Sequence, residues 1–143
     1  MRVAFDVHGV LDTHAEYRSL MRSLFVAGHT VYVISGQALD DEMQKFLATE
    51  ALSEFYTHYF GVESYLIEMG FDKYERRPCG RFWPDEIWNP VKAEICAKED
   101  IDMIFDDSPV YAETFRNIKT HFNLVINKEM FHADVLTPGK HRF

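Results

Sequence analysis

The sequence predicts an α/β fold: a three-layer, Rossmann-like arrangement with a mainly parallel central sheet of about five strands and helices on both faces. Three observations carry this expectation. Short apolar, often β-branched runs alternate along the chain with stretches of helical periodicity. The first two such runs end at Asp6 and Ser35, 29 positions apart, about the length of one βαβ unit, so the two strands read as parallel neighbours. Acidic, hydroxyl or glycine residues follow where the apolar runs stop. With 143 residues, 47% hydrophobic and 15% aromatic, the chain is long enough and apolar enough for a real core, and no linker or repeat divides it, so 1–143 reads as a single domain.

Taken in order, Val3-Ala4-Phe5 is a buried strand that delivers Asp6 into a loop containing His8 and Gly9. Tyr17, Leu20, Met21, Leu24 and Phe25 then form one apolar stripe on a helix that begins near His14 and ends before Gly28. Thr30-Val31-Tyr32-Val33-Ile34 is the second strand, running into Ser35-Gly36. Leu39, Met43, Phe46 and Leu47 mark a second helix, with Asp40, Asp41 and Glu42 in its first turn, where the helix dipole favours negative charge. Glu54 to Phe60 is expected to hold a short strand, followed by a helix through Val62, Tyr65, Leu66 and Met69 up to Gly70.

Phe71 to Asn89 breaks the rhythm. Arg76, Arg77, Pro78, Cys79, Gly80 and Arg81 form a turn-rich basic patch between Tyr74 and Phe82-Trp83, which suggests a small hairpin or ordered loop inserted near the carboxyl edge of the sheet. Asn89-Pro90 starts a further helix whose apolar face is Val91, Ile95 and Cys96. Ile101 to Phe105 is a strand ending in Asp106-Asp107-Ser108-Pro109, Val110 to Ile118 is expected to be helical, and Phe122 to Ile126 is the last strand. Pro138 to Phe143 reads as a poorly ordered tail.

Composition excludes some functions. A net charge of -8 disfavours nonspecific nucleic-acid binding, which needs a basic surface to displace counterions. No apolar run approaches the length of a membrane span, and Asp6 and His8 interrupt any signal-peptide core, so a cytoplasmic protein is expected. Cys79 and Cys96 are too few for a disulfide framework and read as free thiols.

Element lengths gather the chemistry. If the strands are parallel, Asp6, Ser35 and Asp106 leave one edge of the sheet, the edge at which open α/β sheets bind ligands. A helix from Val91 to Glu99 rises roughly 13 Å, and the strand from Ile101 to Asp106 climbs back about 16 Å. Lys92 therefore comes out level with the carboxylates. Asp6, Asp106 and Asp107 together would repel one another unless compensated, and grouped hard oxygen ligands suit Mg2+. Ser35 and Lys92 supply a donor and a cation for phosphate oxygens. Each residue has a plainer reading as well: Asp6 and Gly9 as turn formers, Ser35-Gly36 as a turn, Asp107-Ser108-Pro109 as a helix start, Lys92 as surface charge.

The pattern resembles the haloacid dehalogenase-like (HAD) hydrolase superfamily, through four motifs in order: Asp6-Val7-His8-Gly9-Val10-Leu11, Val33-Ile34-Ser35-Gly36, Lys92, and Ile104-Phe105-Asp106-Asp107-Ser108. Receiver domains also use Asp, Ser/Thr and Lys around Mg2+, but in another order. The resemblance implies a Mg2+-dependent phosphomonoesterase in which Asp6 attacks phosphorus and carries an aspartyl-phosphate. It implies that Asp6, Asp106 and the backbone carbonyl of His8 hold Mg2+, with Asp107 as a further ligand or orienting metal-bound water. Ser35 and Gly36 would hold the phosphoryl group, and Lys92 would neutralise its charge. Haloacid dehalogenation itself is disfavoured, since it would leave the Asp106-Asp107 pair without a purpose.

The sequence departs from that family at His8, where HAD phosphatases carry Asp. Histidine can serve as both acid and base near neutral pH; equally, it can simply pack in the loop, leaving a weak enzyme or a module that binds a phosphorylated ligand. The first helix begins too early for a cap domain after the first motif, so a capless, open site is expected, with room for a large substrate or for a neighbouring subunit in a homo-oligomer. Arg76 and Arg81, with Arg77, can grip a second anionic group, and Trp83 or Trp88 can stack on a base, which would suit a nucleotide or a nucleic-acid end as well as a phosphorylated small molecule. The weightier reading of that segment is solvated arginines and core tryptophans.

Overall fold

Val3, Ala4 and Phe5 are wholly buried, as a strand covered on both faces requires, and they form the centre of the sheet. The computed structural model describes residues 1–127. In chain order its elements are β1 (Arg2–Phe5), α1 (Ala15–Val26), β2 (Thr30–Ser35), α2 (Asp41–Thr49), β3 (His58–Gly61) and α3 (Val62–Glu68). The hairpin β4 (Glu75–Arg77) and β5 (Gly80–Phe82) follows, then α4 (Asp85–Trp88), α5 (Val91–Lys98), β6 (Met103–Asp106), α6 (Pro109–Ala112) and β7 (His121–Leu124).

The main sheet has the order β3-β2-β1-β6-β7 and every pairing in it is parallel, giving the expected Rossmann-like α/β arrangement. The chain builds outward from β1 through β2 to β3, then returns to β1's other side with β6. The switch in direction therefore falls between β1 and β6, whose carboxyl ends carry Asp6 and Asp106.

Alternation along the strands divides the interior into two layers. Val3, Phe5, Val31 and Val33 face one way and pack with Met21 of α1 and Met43 and Leu47 of α2. Ala4, Tyr32 and Ile34 face the other way and meet Val62 and Leu66 of α3, Trp88 of α4, and Val91 and Ile95 of α5. Burying a Leu-, Ile- or Phe-sized side chain contributes about 1.5–3 kcal/mol, so each layer is a substantial source of stability.

Several elements differ from their expected extents. The strand expected within Glu54 to Phe60 begins only at His58, because residues 52–57 turn first, with Leu52 buried beneath. The helix expected over Val110 to Ile118 is a single turn, α6, followed by a 3-10 turn at Glu113–Phe115. There the Thr114 hydroxyl bonds back to the Tyr111 carbonyl (2.6 Å), a local bond that competes with helical propagation. The last strand is His121–Leu124, not Phe122 to Ile126. Leu39 and Met69, read as apolar-face residues, lie just outside α2 and α3 and are exposed. The Pro138 to Phe143 tail lies outside the described residues.

The segment from 71 to 89 is a hairpin plus one helical turn. Trp83 and Trp88 are core residues, stacked with ring centroids 5.9 Å apart. Among the described residues, no helix is long and apolar enough to cross a membrane.

Candidate functional site

The loop after β1 is built to a purpose. Val7–Leu11 forms a tight turn in which His8 (φ -70°, ψ 121°) and Gly9 (φ 83°, ψ -3°) take the two central conformations of a type II turn. Glycine is required twice over at position 9. Its φ is positive, and a Cβ there would stand 1.9 Å from Asp107 Oδ2. The first loop and the Asp106-Asp107 loop are thus pressed together at the switch point.

Asp6, Asp106 and Asp107 are all buried, with ligating oxygens within 4.8 Å of one another, a grouping that can hold a metal ion. Lys92 reaches in from the first turn of α5, and its ammonium sits 3.0 Å from Asp6 Oδ1 and 2.6 Å from Asp106 Oδ2. Asp106 Oδ1 accepts the Ser108 N–H at 2.9 Å, so both oxygens of that carboxylate are engaged. Asp6 Oδ2, by contrast, is buried with no hydrogen-bond partner. Three carboxylates around one ammonium leave an excess of negative charge in a buried site, and Asp6 Oδ2 is unsatisfied. Both features fit a cation or an electrophile placed beside Asp6.

Burial, Asp106 and Asp107 push the Asp6 carboxyl well above the ordinary carboxylate range, with Lys92 pulling the other way. Burial works against the charge on Lys92 as well, but there Asp106 and Asp6 outweigh it and hold the ammonium protonated. Tyr111 roofs that ammonium, its ring centroid 5.2 Å from Nζ, and the Trp88 indole N–H donates to the Tyr111 hydroxyl at 2.8 Å.

Ser35, wholly buried, ends β2 beside β1, and its Oγ accepts the Gln37 N–H at 3.2 Å. Gly36 accepts the Glu63 N–H through its carbonyl at 3.2 Å. His8 lies between two acceptors: Nδ1 is 3.4 Å from Asp12 Oδ2 and Nε2 is 3.1 Å from Gln37 Oε1. Burial disfavours the charged ring, yet hydrogen bonds to Asp12 and Gln37 outweigh it and raise the imidazole above its ordinary range. Asp12 also accepts the Gly9 N–H (2.8 Å) and the Thr13 hydroxyl (2.7 Å).

The sequence-predicted residues thus divide into two groups. Asp6, Lys92, Asp106 and Asp107 form one cluster, with Ser35, Gly36 and His8 on the loops around it. Arg76 and Arg81 stand on the hairpin instead. Arg81 pairs with Glu63 at 2.6 Å, and both arginines lie against the Tyr74 ring. Because Glu63 also bonds Gly36, the hairpin touches the edge of the site through α3 rather than through the carboxylates.

Four residues were not anticipated: Asp12, Gln37, Tyr59 and Asn127. Asn127 follows β7 and donates to the Gly9 carbonyl (3.1 Å) and to Asp107 Oδ2 (3.4 Å), while His14 Nε2 meets its Oδ1 at 2.5 Å. The strand-end rule that singled out Asp6, Ser35 and Asp106 applies to the end of β7 too and was the signal available for it.

No family model and no curated protein matches the sequence. Among solved structures the chain is similar to an uncharacterized protein from Corynebacterium glutamicum ATCC 13032 Kitasato, at 14% identity and a TM-score of 0.47, over 94% of this chain and 91% of that one. The fold described above rests on this chain's own strand order and register.

Proposed function

We propose that the protein is a Mg2+-dependent phosphomonoesterase of the HAD type, with Asp6 as its nucleophile. The observation that carries this reading is the buried Asp6–Lys92–Asp106 bridge at the switch point, in which Asp6 Oδ2 is left without a partner. Lys92 holds Asp6 by Oδ1, which leaves Oδ2 as the attacking oxygen. Asp6, Asp106, Asp107 and the His8 carbonyl would hold Mg2+, which when bound offsets the carboxylates' charge and draws electrons from the phosphoryl oxygens.

The chain's own residues supply the rest. In the first step Asp6 Oδ2 forms a bond to phosphorus as the ester P–O bond breaks, and the His8 ring passes a proton to the departing oxygen. In the second step a water oxygen attacks phosphorus, His8 takes up its proton, and the bond to Asp6 breaks to restore the carboxylate and release phosphate. Ser35 donates to the phosphoryl group and Lys92 balances charge on it. The Asp12 carboxylate beside Nδ1 offsets the cost of a cationic ring near the metal site.

Substrates of this reading are phosphorylated small molecules, nucleotides and nucleic-acid ends; on the hairpin, Arg77 and Arg81 are already paired with Glu75 and Glu63, which leaves Arg76, over the Tyr74 ring, to meet a second anionic group. Base stacking falls to other residues, because Trp83 and Trp88 are core. A screen of sugar phosphates, nucleotides and phosphorylated DNA ends, with and without Mg2+ and with Asp6→Asn as the blank, tests the proposal. Metal-dependent phosphate release that Asp6→Asn loses is expected. Turnover that survives Asp6→Asn, or phosphate-ester binding with no turnover, overturns it, the latter in favour of a ligand-binding module.

A further inference from the structure

Gln37 is fixed at every polar group it owns. Its N–H donates to Ser35 Oγ (3.2 Å) and its carbonyl accepts the Tyr59 hydroxyl (2.7 Å). Its side-chain NH2 donates to both oxygens of Asp40, at 3.0 and 3.1 Å. Asp40 cannot follow the amide elsewhere, because it caps α2 by accepting the Met43 N–H at 2.8 Å. The backbone under Gln37 is seated as firmly. A Cβ on Gly61 would lie 2.8 Å from the Gln37 carbonyl oxygen and 2.9 Å from the Ala38 Cα, so the end of β3 and this loop are in direct contact.

One orientation of the Gln37 carboxamide follows. Flipping it would set its oxygen against the Asp40 carboxylate, two acceptors face to face. The oxygen therefore points the other way, to His8 Nε2 at 3.1 Å, and that nitrogen is the donor. With Asp12 beside Nδ1, the ring is braced at both edges, once from its own loop and once from the loop that carries Ser35.

We propose that Gln37, held by Asp40, is the positioning residue for His8. It aims the Nε2–H along one line and ties the acid/base loop to the phosphoryl-binding loop. This rests on the phosphomonoesterase reading. In the reaction the departing oxygen shares or takes over the Nε2–H that Gln37 holds in the free protein. A glutamine that merely closed a turn would affect every substrate alike; one that acts through His8 adds, in the phosphorylation step that kcat/KM reads, a loss confined to esters whose leaving group needs a proton, because hydrolysis of the Asp6 phosphate is common to all.

The test compares Gln37→Met with the parent on p-nitrophenyl phosphate, whose leaving group departs without much help, and on glycerol 2-phosphate, whose alkoxide needs protonation. Gln37→Met is expected to lower kcat/KM on the alkyl ester about 10- to 100-fold, with kcat/KM on the aryl ester changed less than about threefold. Added to His8→Ala, it should bring no further loss, because the two act through one group. Asp40→Ser keeps a capping hydroxyl for α2 but removes the carboxylate that holds the amide, and should shift the same ratio in the same direction. Equal loss of kcat/KM on both esters, or full additivity with His8→Ala, overturns the proposal.

A readout independent of turnover separates this from the activity assignment. The imidazole Nε2–H signal of His8, identified in NMR by its absence in His8→Ala, should be protected from exchange in the parent and lose that protection in Gln37→Met. Retained protection refutes the positioning role whatever the enzyme assays give. A parent that hydrolyses no phosphate ester refutes the activity and leaves this measurement to decide the role of Gln37.

Discussion

Replacing Asp6 with Asn should make the metal-free protein more stable while abolishing turnover. Asp6 is buried beside two more carboxylates and shares its single ammonium with Asp106. Asn keeps the Oδ1 that receives Lys92 and removes one unit of the unbalanced charge. Its NH2, in place of the unpartnered Oδ2, can donate toward the neighbouring carboxylates. The direction of the Asp6 shift sets the sign. A carboxyl whose folded-state pKa lies above its unfolded value costs nothing while it is protonated in both states. The cost appears as pH rises through the unfolded value, near 3.8, and reaches its full size above the folded value.

A buried polar atom left without a partner costs on the order of 1–3 kcal/mol, which is the scale of what Asn relieves at Oδ2. For a chain of this size that is a rise in Tm of roughly 3–10 °C. Thermal melts in EDTA, at pH values from 4 to 8, should show parent and variant converging at the acid end and separating toward neutral pH. Adding Mg2+ should narrow the gap, since a bound ion at a hundred times its Kd stabilises the parent by about 2.7 kcal/mol. An Asp6→Asn protein that melts at or below the parent throughout, or a gap that ignores pH, refutes the charge-crowding argument.

Gly9→Ala should be destabilising and should also weaken divalent-cation binding. The left-handed turn costs about 1–2 kcal/mol for a residue with a side chain, and the added methyl displaces the Asp107 carboxylate. Denaturant titration and a calorimetric Mg2+ titration read the two effects separately, and unchanged Mg2+ affinity would count against Asp107 as part of the metal site. The two cysteines should differ in reactivity: Cys79 is exposed, whereas Cys96 is buried and its thiol is pushed up to about 12 by that burial. A disulfide reagent at pH 8 should modify one thiol in the native protein and two in denaturant, and rapid modification of both in the native state would contradict the packing of α5.

The fold was legible because its strands are buried on both faces, so Val3-Ala4-Phe5 and Thr30 to Ile34 stand out as unbroken apolar runs. The site was legible as far as rise per residue could place it. Asp6, Ser35 and Asp106 end parallel strands, and Lys92 follows from a helix and a strand of similar length and opposite sense. Asn127, just past the last strand, was open to the same rule, whereas Gln37, Asp12 and Tyr59 were not legible in that way. Their roles are side-chain hydrogen bonds between loops, and no local periodicity encodes which loop meets which. Helical spacing misled at Val110 to Ile118, where Thr114 found a local partner for its hydroxyl, and at Leu39 and Met69, where the pattern began two residues before α2 and ran one residue past α3. The basic hairpin was seen in outline, but Arg81 was already answered by Glu63, a partner 18 positions away that only the packing of β5 against α3 brings within reach.

The aromatic chain from the hairpin to the ionic core has a practical corollary. Tyr74 lies tilted against Trp83, Trp83 stacks on Trp88, and Trp88 is hydrogen-bonded to the tyrosine that covers the Lys92 ammonium. The chain's two indoles are therefore both shielded from quenching by solvent, and one of them is a single residue removed from the charge that any bound cation or phosphoryl group must rearrange. The protein carries its own optical reporter, and its native emission gives a label-free signal for occupancy of a site that has no chromophore of its own.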